Sequence, residues 1–183
     1  MVPKSAVLVV VDVQNGFIRE PSAPIVPVIV DLVARWEEAG GPIVFTKYMN
    51  YPGSPFERMI HWTQMRDVPQ TDIVGPLQPY ANRADAIVDK TIYSLFNAEG
   101  EELVRARGWT DLYVCGIATE SCVLKTAVDA FERNLTPWLI RDASASHAGQ
   151  AAHDAGLLVA TRFIGAGQLI RVADVPALDA ART

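Results

Sequence analysis

Short apolar runs alternate with segments of helical periodicity along most of the chain. Ala6–Val11 is continuously aliphatic and β-branched, which is typical of a strand buried on both faces. Residues 25–39 instead carry apolar side chains at helical spacing, and the pair Gly40–Gly41 ends that segment. Ile43–Tyr48 is again apolar and predicts a second strand.

The alternation resumes after residue 82. It predicts strands at 86–88, 112–115, 137–140 and 161–164, and helices at 99–107, 120–133 and 150–160. Repeated strand–helix units imply a parallel sheet with right-handed crossovers and helices on both faces. We therefore expect an α/β fold, a three-layer αβα sandwich formed as a single domain by residues 1–183. Sites in such sheets lie beyond the carboxyl ends of the strands.

Residues 49–82 break this rhythm with many prolines and aromatic side chains. A long excursion of this kind inside one domain is often a functional loop. A structured surface insert or a subunit contact would have the same composition. The sequence leaves these interpretations of the loop-rich insert open, including whether it caps its own active site or that of a neighbouring subunit.

Composition narrows the class of protein. Half of the 183 residues are hydrophobic and 20% are charged, which fits a well-packed globule. The net charge of −5 offers no basic surface, so neither nucleic acid nor a membrane is an expected partner. Asp12 interrupts the first apolar run, which favours a strand over a signal peptide. With only two cysteines, we expect a cytoplasmic protein with reduced thiols.

Polar residues follow the predicted strands. Asp12 leaves the densest apolar run of the chain, where a buried carboxylate needs a partner, although a turn-capping role is equally common. Lys90 follows the third strand beside Asp89. Because neighbours on a strand face opposite ways, the residues alone leave open which of the two enters a pocket.

Cys122 lies in a strand–turn–helix segment, in the opening turn of the predicted helix, where Thr119 or Ser121 could serve as the cap. Free N–H groups and the helix dipole would favour a thiolate there, and a nearby lysine would lower the thiol pKa further. The alternative is a small buried apolar residue, which suits Cys115 inside its strand. Position favours a nucleophilic role for Cys122.

Three segments together carry a family resemblance: VVDVQNGF at 10–17, DKTIYSLF at 89–96 and CGIATESCVLKTAVDAF at 115–131. In this order, each after a strand, they resemble the isochorismatase-like cysteine hydrolases. That superfamily includes N-carbamoylsarcosine amidase, nicotinamidase and ureidoacrylate amidohydrolase. The resemblance covers nearly the whole chain and implies a six-stranded, Rossmann-like parallel sheet between helices. It also implies a homo-oligomer, either a dimer or a tetramer.

The resemblance further implies an Asp12–Lys90–Cys122 catalytic triad and thereby selects Lys90 over Asp89. It implies a cis peptide bond between Ile117 and Ala118. The backbone amides of Ala118 and Cys122 would then form the oxyanion hole.

Departures from the family pattern also matter. Nicotinamidase-like members bind a metal through an Asp-x-His pair after the second strand and a further histidine. Residues 45–59 contain no such pair and His61 stands alone in the insert, so we predict no metal and no cofactor. Vinyl-ether-cleaving isochorismatases generally lack the nucleophilic cysteine, so Cys122 favours hydrolysis of an amide or ureido C–N bond. An isochorismatase that uses Asp12 as its acid and a non-catalytic binding protein are the alternatives.

Aromatic residues with few charges near the strand ends predict a pocket for a small, partly flat, weakly charged substrate. Its predicted residues are Gln14, Phe17, Tyr48, Trp62, Tyr93, Phe96 and Thr119. For Phe17 and Phe96, core packing is the better interpretation. His147 and His153 are interpreted as structural or exposed.

Overall fold

Six parallel strands form one sheet, in the order β3-β2-β1-β4-β5-β6, in the computed structural model, which describes residues 1–175. The strands are β1 Ala6–Val11, β2 Ile43–Tyr48, β3 Ala86–Lys90, β4 Asp111–Ile117, β5 Thr136–Ala145 and β6 Leu169–Ile170. Strand β1 pairs with β2 on one side and β4 on the other. The sheet order therefore reverses between β1 and β4, where a doubly wound sheet opens its cleft.

Helices cover both faces of the sheet, so the predicted αβα sandwich is confirmed. They are α1 Ile25–Glu38, α2 Pro55–Ile60, α3 Gln78–Ala81, α4 Ala98–Arg107, α5 Leu124–Glu132 and α6 Gln150–Phe163. Leu8 and Val10 of β1 pack on the face of α1, and Val7, Val9 and Val11 pack on the face of α4, α5 and α6. Burial on both faces explains why β1 is apolar throughout. Within residues 1–175, no helix combines the length and apolar character needed to cross a membrane.

The insert at 49–82 is packed against the α1 face and contains α2 and α3. Met65, Ile73 and Leu77 are buried in the core cluster on that face. Gln14 joins β1 to this segment: its side-chain amide donates to the carbonyls of Tyr48 and Thr71, at 3.0 and 2.7 Å. The insert is therefore held at the carboxyl ends of β1 and β2.

The predicted last strand at 161–164 is wrong. Helix α6 continues through Phe163, with the Thr161 hydroxyl donating to the Leu157 carbonyl and the Ile164 N–H to the Ala160 carbonyl. Gly165, at a φ of +93°, then turns the chain into β6, which pairs with β5. A short β-branched and aromatic run suits a strand, but here it completes an amphipathic helix against the sheet.

Candidate active site

Asp12 follows β1 and is fully buried, with a φ of +49°. One carboxylate oxygen accepts a hydrogen bond from the Thr46 hydroxyl at 2.6 Å, and the other accepts one from the Lys90 ammonium at 2.6 Å. The Asp12 N–H donates to the same Thr46 oxygen at 3.2 Å. The burial of this carboxylate is thus compensated by one residue of β2 and one residue of β3.

Lys90 ends β3 and points inward, whereas the neighbouring Asp89 is exposed. Its ammonium donates to Asp12 and to the carbonyls of Ile92 and Tyr93, at 3.1 and 2.9 Å. All three N–H donors of the group are therefore used. Burial would lower the pKa of Lys90, but the interactions of the ammonium with Asp12 and Cys122 outweigh burial and raise that pKa, so the ammonium keeps its proton.

Cys122 stands after β4, in a turn that differs from the predicted one. The peptide bond between Ile117 and Ala118 is cis. Thr119–Val123 forms a wide π-helical turn before α5, and the Ala118 carbonyl accepts from the N–H groups of Ser121 and Val123, both at 3.1 Å. The N-cap residue of this turn is Ala118, whose side chain cannot act as a cap, and the Thr119 hydroxyl is instead hydrogen-bonded with the His153 ring nitrogen Nδ1 at 2.7 Å.

The predicted lowering of the Cys122 pKa is wrong in direction. Burial raises the pKa of this thiol, the charge of Asp12 raises it further, and Lys90 only partly offsets them. Removing a sulfur from water disfavours its anion more than the nearby lysine favours it. The thiol is therefore protonated at neutral pH, and the Asp12 carboxylate is the neighbouring group that could take its proton.

A cavity of about 330 Å³ opens above Cys122. Five aromatic side chains form one wall, with Phe17 stacked on Trp62 at 5.9 Å and Tyr93 edge-on to Phe56 at 4.9 Å between ring centroids. The lining residues are Phe17, Tyr48, Phe56, Ile60, Trp62, Tyr93, Ile117, Ala118, Glu120, Ser121, Cys122 and His147. Such a cavity suits a small, flat molecule.

Three of the predicted pocket residues do not line this cavity. The Gln14 side chain forms the hydrogen bonds that hold the insert. The Thr119 hydroxyl is hydrogen-bonded with the His153 ring. Phe96 packs in the core on the opposite face of the sheet, under the Arg133 guanidinium. The other four predicted residues line the cavity: Phe17, Tyr48, Trp62 and Tyr93. Phe17 therefore packs in the core, as expected, and also lines the cavity.

Other lining residues were not predicted from the sequence. Phe56 and Ile60 enter through α2 of the insert, and His147 follows β5 and stacks on Phe17 at 5.5 Å. Glu120 lies two residues before Cys122 on the same turn, and this short spacing is the feature of the sequence from which its place in the cavity could have been predicted. Within residues 1–175, no group of three or more His, Cys, Asp or Glu side chains is arranged to hold a metal ion.

Gly156 of α6 lets this helix approach the turn that carries Cys122. A Cβ atom there would lie 2.8 Å from the backbone N and Cα of Glu120, so Gly156→Ala must push the turn away from α6. We expect a loss of about 1–3 kcal/mol in the free energy of unfolding. We also expect kcat/KM to fall on the order of 10- to 100-fold, because a small displacement misplaces reacting groups.

Gly167→Ala is the matched control, since a Cβ at that position meets no atom of residues 1–175 within 4 Å. Urea denaturation and steady-state kinetics of both variants provide the measurements. Equal behaviour of the two variants would contradict the close contact between α6 and the turn.

The sequence matches the family model described as the isochorismatase domain over residues 6–169. It is 29% identical to ureidoacrylate amidohydrolase from Methylobacterium radiotolerans, over 98% of this chain and 80% of the relative. It is 32% identical to a probable isochorismatase from Pseudomonas chlororaphis, over 78% of this chain and 72% of the relative.

Solved structures give the same family. N-carbamoylsarcosine amidase from Thermoplasma acidophilum superposes with a TM-score of 0.80 at 25% identity, covering 94% of this chain and 99% of that one. Nicotinamidase from Bacillus subtilis superposes with a TM-score of 0.79 at 25% identity, covering 91% and 99%. The chain therefore belongs to the isochorismatase domain family of hydrolases.

Proposed function

We propose that this protein is a cysteine-dependent hydrolase that cleaves an amide or ureido C–N bond in a small molecule. The observation that carries the proposal is the position of Cys122, which lines the cavity while the Asp12–Lys90 pair is buried next to it. The amidohydrolases among the relatives support the same type of reaction.

In the proposed first step, Cys122 gives its proton to Asp12 as its sulfur attacks the carbonyl carbon. Because the thiol pKa is raised, proton transfer accompanies the attack and does not precede it. The backbone N–H groups of Ala118 and Cys122 hold the oxyanion. Lys90 keeps its proton and balances the negative charge that passes between the sulfur and the carboxylate.

In the second step the tetrahedral intermediate collapses and the C–N bond breaks. Protonated Asp12 returns its proton to the departing amine or ammonia, and the acyl group remains on Cys122 as a thioester. Water then attacks the thioester carbonyl, with Asp12 accepting the proton of the water. The acid product leaves, and the Cys122 thiol is regenerated.

Vinyl ether hydrolysis is the second candidate, because one relative is named a probable isochorismatase. In that reaction Asp12 would act as the acid and Cys122 would be idle. Cys122 reaches the cavity next to the buried Asp12–Lys90 pair, and vinyl ether hydrolysis would leave its sulfur without a role. This arrangement favours the cysteine route.

A panel of small amides, ureido acids and imides, assayed for released ammonia or amine, tests the reaction type. Iodoacetamide tests the residue: we expect one alkylated cysteine per chain, loss of activity, and protection by a substrate from the panel. Because burial raises the pKa of Cys122, alkylation should accelerate as the pH rises from neutral into the alkaline range.

Cys115→Ala is the control for alkylation, since Cys115 is fully buried inside β4. That variant should be alkylated and inactivated like the parent protein, and Cys122→Ala should take no label. Full activity after complete alkylation of Cys122 would instead support the vinyl ether interpretation, and release of ammonia or amine from no compound of the panel would support the non-catalytic one.

A further inference from the structure

The described residues that line the cavity include few acidic or basic side chains. Among the lining residues within 1–175, Glu120 is the only acid or base besides His147 and the Cys122 thiol, apart from tyrosine. Burial lowers the pKa of His147, the charge of Glu120 acts against this, and Arg19 adds to the lowering. The imidazole is therefore neutral, and no lysine or arginine of the described residues lines the cavity to receive an anion.

Only one of the two Glu120 carboxylate oxygens accepts a hydrogen bond from the described residues. Oε1 accepts a hydrogen bond from the Ser146 hydroxyl at 2.7 Å, whereas Oε2 is buried and has no hydrogen-bond partner among the described residues. A buried acceptor without a partner costs free energy unless a ligand supplies a donor. The backbone of Glu120 is packed against Gly156, so this carboxylate is fixed relative to Cys122 on the same turn.

The aromatic wall suits the same kind of ligand. Phe17 and Trp62 are stacked with an interplanar angle of 19°, and both line the cavity that Glu120 lines. Faces of aromatic rings attract cations and repel anions. The Tyr48 hydroxyl is a further buried polar group without a partner in the described structure, and it can bind a neutral polar atom of the ligand.

We propose that the cavity selects flat amide or ureido substrates that carry a cationic or N–H-donating group, which Glu120 binds, and that it disfavours substrates carrying a carboxylate. The assignment rests on the proposed hydrolase function and names Glu120 as its specificity-determining residue. A carboxylate substrate would place two negative charges in one cavity, whereas an ammonium would form a charge-assisted hydrogen bond with Oε2.

Three para-substituted benzamides of similar shape test this selectivity: 4-(aminomethyl)benzamide, 4-methylbenzamide and 4-carbamoylbenzoate. In the parent protein we expect the ammonium compound to exceed the carboxylate compound in kcat/KM by roughly ten- to a hundredfold. Glu120→Gln keeps the shape and the acceptor for Ser146 but removes the charge, and should bring the ratio to within about threefold. Glu132→Gln, at an exposed glutamate of α5, is the matched control and should keep the parent ratio.

Protection of Cys122 from iodoacetamide by each compound gives a second readout that requires binding only. Charge-selective protection that Glu120→Gln removes supports the assignment, even where an amide is not hydrolysed. Hydrolysis that depends on Cys122 but ignores the charge of the substrate overturns the assignment and leaves the hydrolase proposal intact. Preference for the carboxylate compound, the same preference in Glu120→Gln, or protection by none of the three compounds also overturns it.

Discussion

Replacing Cys122 with alanine should abolish turnover while the protein stays folded. If the sulfur forms the covalent intermediate, its loss should reduce kcat by about 10³-fold or more. The change removes one buried sulfur from the start of the turn, which should cost about 1 kcal/mol of the free energy of unfolding. Steady-state kinetics on a substrate from the amide panel and urea denaturation measure the two effects.

Two comparisons make this result specific to the nucleophile. Cys115→Ala removes a sulfur of the same size from the interior of β4, so it should lose stability but keep kcat within a small factor. Mass spectrometry of acid-quenched reactions should detect an acyl adduct on the parent protein and none on Cys122→Ala. Parent-like kcat in Cys122→Ala would refute the cysteine mechanism.

The positions of the acid, the lysine and the thiol could be anticipated because each follows a buried strand. Asp12 and Lys90 are brought within 2.6 Å by the pairing of β1 with β2 and of β2 with β3. The choice between Lys90 and Asp89 required the family resemblance, since residue alternation allows either phase. The structure places Lys90 inward and Asp89 outward.

Other features could not be read from local patterns. The π-helical turn at Thr119–Val123 packs against α6, which is distant in the sequence, and the close contact is between Gly156 and the backbone of Glu120. The pKa of Cys122 depends on how completely the cavity walls exclude water, which the sequence of the turn does not reveal. The sequence predicts a strand at 161–164, where the structure has the end of α6. A segment of four residues is too short to distinguish the period of a helix from that of a strand, so its packing against the sheet decides.

Replacing Lys90 with methionine should lower the free energy of unfolding strongly and should also impair activity. The Lys90–Asp12 pair is fully buried, and methionine keeps the length of the side chain while removing its charge. Asp12 would then remain buried with only the Thr46 hydroxyl, and the Ile92 and Tyr93 carbonyls would lose their donor. Breaking one side of a buried pair costs about 3–5 kcal/mol, a large part of a typical domain's stability.

Arg83→Met is the matched control, because its pair with Glu37 has the same charges at 3.0 Å but both side chains reach solvent. In urea denaturation it should destabilise the protein far less than Lys90→Met does. A double-mutant cycle then separates pairing from packing: in an Asp12→Asn background, Lys90→Met should cost clearly less, because no unpaired carboxylate is left behind. Equal costs in the two backgrounds would mean that Lys90 acts through its methylene packing and carbonyl contacts. In that case the ammonium would not stabilise the Asp12 carboxylate, and Lys90 could not balance the negative charge that the proposed mechanism passes between the sulfur and the carboxylate.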